Sequence, residues 1–459
     1  MHRVPRLLVS GVGCGVGKSA ALLTIAAGLR RRGLSVAAFT LGPDGHDAPM
    51  MERLTGRPAH CLDPWLMGRQ TLRRTFQRGV EGADVALVEG ALGLFDGVDP
   101  TSDDGSSAEL ARWLELPVLL VLDGSNLGGS IAALARGFQR YDPRVPIAGF
   151  IANHVDGPGH TGNLRASLEA SGSAPLLGSL PTCTTLRHPG RDLGACPRDA
   201  GWLDEVRIEA LGQLAERCFD LDAMLAVARA ATPLPEPLAL TSAPCAVRVG
   251  VALDAAFNRY FEDDLARLEA AGAELVPFSP LTDRRLPDLD GLVLGDGPVE
   301  SHTAELSSNT GLREALRGAI ARGVPTLALG GGLVYLARGA RSLSGTLHRL
   351  VGALDVDFVC TAEPMLAGYV EVETNCETLV GPEGTRLRGH AWRHARLSDA
   401  SLDASEADAP FVRAITGPEV HAYGGTNLLA LPFRTHWASS PRVPETFVAA
   451  CVRSTALFH

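Results

Sequence analysis

A short apolar run, RLLVSGV, passes straight into Gly13-Cys14-Gly15-Val16-Gly17-Lys18-Ser19, and residues at helical spacing begin there. Few local patterns restrict a chain as much. Backbone N–H groups of a glycine loop at a helix N-terminus bind phosphate oxygens. A lysine adds charge beside the β- and γ-phosphates, and the hydroxyl that follows it can sit on Mg²⁺. Gly13, Gly15, Val16, Gly17, Lys18 and Ser19 are therefore the expected ATP-binding residues, and Ser19 a metal ligand. The strict form of the loop has glycine at position 12, where this chain has Val12, so the pattern is a relaxed one.

The surroundings agree with a phosphate loop. Five apolar runs of Val, Leu and Ile lie within the first 155 residues: RLLVSGV, SVAAFTL, DVALVEG, PVLLVLD and IAGFIANHV. They show little alternation, as strands do when a parallel sheet is covered on both faces. Helical patterns such as SAALLTIAAGLRRRG separate them. Strand–helix repetition of this kind predicts a doubly wound α/β domain. At 459 residues the chain has room for two domains of ordinary size. The Pro-rich stretch 231–246 reads as a linker, dividing a 1–230 ATP-binding domain from a 247–459 domain in which α/β alternation restarts. Segments with more alternation, LAGYVEVETN and GTRLRGHAWRHARL, read as antiparallel strands.

Composition excludes other classes. A net charge of −10 argues against a nucleic-acid-binding surface. No apolar stretch is long enough to span a membrane. The start, MHRVPRLLVSGVG, resembles a signal peptide only superficially, because it runs into the glycine loop and so reads as a first strand. Nine scattered cysteines without a CxxC pair suggest reduced thiols and a cytoplasmic setting.

Acidic residues supply the oxygen ligands that Mg²⁺ on a triphosphate needs. Glu89 closes the run Val85-Ala86-Leu87-Val88-Glu89, at the strand edge where open α/β sheets bind ligands. Asp44 and Asp47, in Gly42-Pro43-Asp44-Gly45-His46-Asp47, follow the second strand and would face the same crevice, although Gly-Pro-Asp alone reads as a turn.

Together these motifs resemble the cobyrinic acid a,c-diamide synthase family, with an N-terminal domain similar to dethiobiotin synthetase. The resemblance runs through GVGKS, the GPDxxD segment, GRPxxxLDPWLMG from Gly56, VEGxxGLFDG from Glu89, GSSAELA from Gly105 and the IANHV strand with Asn153. It continues through LPDLDGLVLGDG, GYVEVE and RGHAWRHARL in the second half. It implies a P-loop domain followed by a class I glutamine amidotransferase-type α/β domain. It further implies an ATP- and Mg²⁺-dependent amidoligase of cobalamin biosynthesis that converts a corrin or related tetrapyrrole carboxylate to an acyl phosphate. Lys18, Asp44, Asp47 and Glu89 match the family's catalytic positions, Ser19, Asp44 and Glu89 its metal positions, and Asn153 the position proposed to read adenine. Asp96, His46 and His390 are weaker candidates for substrate contact. A homodimer is expected by analogy.

This chain departs from the family in its second half. The elbow that carries the family's nucleophilic cysteine reads Ala328-Leu329-Gly330-Gly331-Gly332 here, with Gly330 at the cysteine position. Arg434 stands where the family's histidine base belongs, with His436 at the second histidine. Glycine forms no thioester, and arginine stays protonated. The expectation is an amidoligase unable to hydrolyse glutamine by itself, supplied by free ammonia, another amine or a separate ammonia source. The substrate side changes too: Thr40 replaces a family lysine, and Ala59-His60-Cys61 a Ser-Arg-Asn run. A non-corrin carboxylate and a nucleotide-dependent regulatory or binding role remain as alternatives.

Overall fold

The computed structural model describes residues 4–43, 48–182, 203–398, 401, 411–418 and 420–458. Two compact units, Met1–Leu238 and Ala239–His459, divide the chain.

In the first unit seven strands alternate with helices: β1 (Arg6–Gly11), β2 (Val36–Leu41), β3 (His60–Leu62), β4 (Val85–Glu89), β5 (Val118–Asp123), β6 (Ile147–Val155) and β7 (Leu176–Pro181). The order across the sheet is β3-β2-β4-β1-β5-β6-β7, and every pairing is parallel. β1 and β4 are buried along their whole length, which explains their unbroken apolar sequences. From β1 the chain moves to one side of the sheet for β2 and β3, returns to place β4 beside β1, then crosses to the other side for β5. Ligand crevices form at such reversals, outside the carboxyl ends of the strands. Register places Glu89 opposite both Val9 and Thr40, and Asn153 opposite Asp123.

The helices that matter for the site are α1 (Lys18–Arg31), α2 (Ala48–Thr55), α3 (Pro64–Gly79), α4 (Ser107–Leu114) and α5 (Ser130–Tyr141). Leu22, Ile25 and Leu29 of α1 pack on Leu7, Val9 and Leu87 of the sheet in one apolar core. Arg6 is an unusual core residue, with its Nε donating to the Leu114 carbonyl at 2.8 Å and its guanidinium reaching the Thr232 carbonyl. Burial pushes its guanidinium down to about 10.

The second unit is built on a sheet that begins with β8 (Val247–Ala252), β9 (Ala273–Phe278), β10 (Gly291–Leu294) and β11 (Thr326–Leu329), joined in parallel. Strand Leu428–Leu431 adds to β11 in parallel, and Tyr423–Gly425 closes the edge antiparallel. Leu366–Thr374 and Arg386–Arg393 form the expected antiparallel ladder, with Leu366 opposite Arg393 and Glu373 opposite Arg386. The run RGHAWRHARL, however, is not one strand: Ala395–Leu397 leaves that ladder and pairs with Leu354–Cys360 in another sheet. Local alternation is the same on both sides of this switch, so only long-range pairing decides it. Among the described residues, no helix is long and apolar enough to cross a membrane.

Candidate active site

The glycine loop bridges the end of β1 and the start of α1. Gly15 and Gly17 hold φ of +79° and +95°, a region open to glycine and costly for other residues. A Cβ at Gly17 would collide with the Asn153 side-chain amide. The second and third glycines are thus required for different reasons, one for the turn and one for the turn and close approach.

Lys18 and Ser19 open α1 and are nearly buried. Lys18 Nζ donates to the Gly13 carbonyl at 2.9 Å and also to the Leu92 carbonyl. The ammonium therefore curls over the loop, where a phosphate group would lie. Ser19 Oγ donates to Glu89 Oε1. A serine hydroxyl and a carboxylate brought together at the mouth of a phosphate loop form an oxygen pair suited to Mg²⁺. Asn153, 5 % exposed, comes from the end of β6, and its Nδ2 donates to the Val16 carbonyl at 3.0 Å. Five of the expected site residues, Val16, Gly17, Lys18, Ser19 and Asn153, thus meet around one loop, with Glu89 on Ser19. Gly13 supplies a carbonyl to the lysine, and Gly15 the turn. Asp44, His46 and Asp47 lie outside the described residues.

Beyond Glu89 the chain turns back over the loop. Leu92 has φ of +47°, Leu94 N–H donates to the Gly11 carbonyl at 2.8 Å, and Asp96 accepts the Gly93 N–H at 2.7 Å. Asp96 therefore closes the turn that holds this segment on the phosphate loop. The segment and α5 enclose a groove of about 390 Å³, lined by Val12 of the loop, Leu94, Phe95, Leu134, Phe138 and Tyr141. The Phe95 ring stacks on Phe138 at 5.8 Å and leans on Tyr141 at 4.6 Å. Tyr141 is nevertheless 75 % exposed, so a large ring at the edge of this groove faces solvent.

Two neighbours of the site carried little sequence signal. Asp123, at the end of β5, lies 3.2 Å from His154 Nδ1, and His154 has φ of +57°. A non-glycine residue held there beside Asn153 marks a locally over-determined strand end. Thr40 and Cys61, two positions at which a departure from the family is expected, face each other across β2 and β3, with Thr40 Oγ1 3.7 Å from Cys61 Sγ.

In the second unit, Gly330 follows β11 with φ 55° and ψ −113° and begins the helix Gly331–Leu336. The chain therefore makes a sharp strand-to-helix elbow at a residue with no side chain. Cys360 sits in a strand, where burial pushes its thiol up to about 11, and Cys376 in the turn after Leu366–Thr374; neither is on an elbow. Arg434 is nearly buried with its guanidinium 4.3 Å from the centre of the Phe261 ring, a cation–π contact. His436 packs on the same ring at 4.5 Å and lies 3.3 Å from Asp264. His390 pairs in register with Arg434 and meets Tyr369 edge-on at 5.5 Å, so its surroundings are those of a ladder histidine. Asp263, Asp264 and His436 offer ligand atoms within 4.8 Å of one another. They suit a metal poorly, since Arg267 holds Asp263 at 2.5 Å and burial pushes the Asp264 carboxyl well above the usual range.

Residues 7–193 match a CobQ/CobB/MinD/ParA nucleotide binding domain, and residues 248–415 match a CobB/CobQ-like glutamine amidotransferase domain. Cobyrinate a,c-diamide synthase of Leptospira interrogans serogroup Icterohaemorrhagiae serovar copenhageni is 36% identical over 98% of this chain and 99% of its own length. The enzyme of the same name from Syntrophotalea carbinolica is 37% identical over 97% of this chain and 98% of its own, and that from Dehalococcoides mccartyi 34% identical over 97% of each. With both domains matched in order and relatives aligned along nearly the whole chain, this protein belongs to the cobyrinate a,c-diamide synthase family.

Proposed function

We propose that the chain activates a carboxylate of a corrin-type substrate with ATP and amidates it with ammonia that it does not itself release from glutamine. The observation that carries the reading is the Lys18–Ser19–Glu89 arrangement on the phosphate loop. A carboxylate does not react with ammonia until one of its oxygens becomes a leaving group. In the reaction, a substrate carboxylate oxygen bonds to the γ-phosphorus while the bond to the β–γ bridging oxygen breaks, releasing ADP. Ammonia then bonds to the carbonyl carbon of the acyl phosphate, the C–O bond breaks, and inorganic phosphate leaves with loss of the amine's proton to solvent.

The roles of the residues follow from charge. Loop N–H groups and the Lys18 ammonium neutralise oxygens whose charge rises in phosphoryl transfer. Ser19 and Glu89, with Asp44 as a further acid, would hold Mg²⁺, which supplies Lewis-acid neutralisation of the phosphates. Asp47 stands as a further phosphate-handling acid. The groove at Phe95, Phe138 and Tyr141 abuts the loop through Val12, which supports seating the apolar body of the substrate there. Gly330 and Arg434 remove the nucleophile and the base that glutamine hydrolysis requires.

A different carboxylate substrate is favoured by one observation: Thr40, beside Glu89 and in contact with Cys61, is neutral where the family resemblance leads one to expect a lysine. One experiment serves both readings. Purified protein is given ATP, Mg²⁺ and cobyrinic acid, with either glutamine or ammonium chloride. ADP and amide formed with ammonium but not with glutamine support the proposal. Turnover with glutamine alone overturns the nitrogen assignment, and no turnover despite nucleotide binding overturns the corrin assignment in favour of another carboxylate.

A further inference from the structure

The elbow at Gly330 is not merely missing a side chain; its place is taken. The Asp296 carboxylate, from the turn after β10, lies where a side chain at 330 would begin. A Cβ built on Gly330 would sit 2.6 Å from Asp296 Cγ and closer still to Oδ1, inside any distance real Cβ atoms keep. The obstacle is not the far end of a flexible chain, since Asp296 Cβ is itself only 3.0 Å away. Asp296 Oδ1 accepts the buried Gly331 N–H at 2.9 Å. Its Oδ2 lies 3.8 Å from Arg259 Nη1, and its backbone carbonyl accepts the Arg259 N–H at 3.0 Å. Four anchors therefore hold this aspartate against the elbow: a backbone amide, an arginine side chain, an arginine amide and a tight turn.

The geometry points to Asp296 as the residue that excludes glutamine from the second unit: it fills the volume and takes the backbone amide that a nucleophile at 330 and its substrate would use. This rests on the reading that the chain does not hydrolyse glutamine. A thiolate attacking an amide needs free space at its Sγ and an N–H free to receive the oxygen that becomes negative. Here a carboxylate occupies both. A like charge at this point also opposes any anionic thiolate or oxyanion. A side chain at 330 and the Asp296 carboxylate are then alternative occupants of one volume, so a cysteine placed at 330 beside Asp296 is unproductive. Arg434 lies three residues past Leu431, whose carbonyl accepts the Gly330 N–H at 2.9 Å, and pairs with His390 in the antiparallel ladder.

The coupling is measurable on the full chain. Gly330→Ala is expected to lower the melting midpoint by about 5 °C, from the clash together with positive φ. The same substitution made in Asp296→Gly protein is expected to lower it by much less than in the wild type, which isolates the contact with Asp296 from the backbone strain common to both. Gly330→Cys gives a thiol that iodoacetamide fails to alkylate in the folded protein, read by peptide mass spectrometry, whereas Asp296→Gly with Gly330→Cys gives one that is alkylated. Equal destabilisation by Gly330→Ala in both backgrounds, or equal labelling of Cys at 330 with and without Asp296, overturns the inference. Glutamate release from glutamine by the wild-type protein is a separate assay, and a positive result there sinks the underlying reading whatever the variants do.

Discussion

Ser19, at the first turn of α1, and Glu89, at the last residue of β4, are joined by a hydrogen bond although 70 positions separate them in the chain. The parallel neighbours β1 and β4 deliver both to the same end of the sheet. Substituting the acid tests what the pair is for. Glu89→Gln keeps the shape and a hydrogen-bond acceptor but removes the charge. It is expected to raise the Mg²⁺ concentration needed for half-maximal ATP turnover by roughly 10–100-fold, with nucleotide affinity measured without metal little changed. An unaltered Mg²⁺ dependence would remove Glu89 from the metal site.

Asn153 bears on the loop from the opposite side. Its Nδ2 bond to the Val16 carbonyl and its contact with Gly17 fix the loop's last turn before α1. Asn153→Ala leaves a buried carbonyl without that donor, and nucleotide binding is expected to weaken by about tenfold, equivalent to roughly 1.4 kcal/mol. Calorimetric titration with ADP and ATP checks this. An equal loss for GTP would mean that Asn153 positions the loop and does not read the base.

A groove at Phe138 that seats the substrate, as proposed, would separate substrate binding from nucleotide binding. Phe138→Ala removes the ring that stacks on Phe95. A three- to tenfold rise in the KM for the carboxylate substrate, with ATP affinity unchanged, is about what the loss of one aromatic contact predicts. A variant whose two affinities fall together would instead report damage to the fold of the 91–97 segment.

Acid stability should show a contribution from Asp142, which follows α5 directly. The Arg144 side chain bonds it at 2.9 Å, with Arg112 adding an ion pair at 2.9 Å, and its carboxyl is held down at about 2 although burial pushes it up. A carboxylate held below its unfolded value adds stability above that value, near 4, and loses it as pH falls toward 2. Arg144 is largely exposed, so the pair contributes only about 1 kcal/mol. Asp142→Asn is expected to lower the urea midpoint at neutral pH and to leave it unchanged near pH 2.

The phosphate loop, the alternation of strand and helix, and the acid at the end of β4 were legible in the sequence because each rests on local pattern. Buried parallel strands have no polar face, so their apolar runs stand out, and glycines at positive φ must be glycines. The missing nucleophile was legible for a similar reason: Gly330 cannot carry chemistry wherever it is placed. Less visible were residues whose meaning comes from a distant neighbour. Asp296 reads as one more acid in a turn until β10 and β11 pair and bring it to Gly330. Asp123 and His154 meet only because β5 and β6 lie side by side.

By itself, then, the sequence determined the fold class, the nucleotide-binding domain of the first half and the glycine at the second-half elbow, since all three depend on residue type at short range. Tertiary structure decided which acid meets Ser19, which ring system borders the phosphate loop and what fills the space at Gly330. These are contacts between residues tens of positions apart, and side-chain volume, hydrogen-bond reach and charge act on them only after the strands have been brought into register.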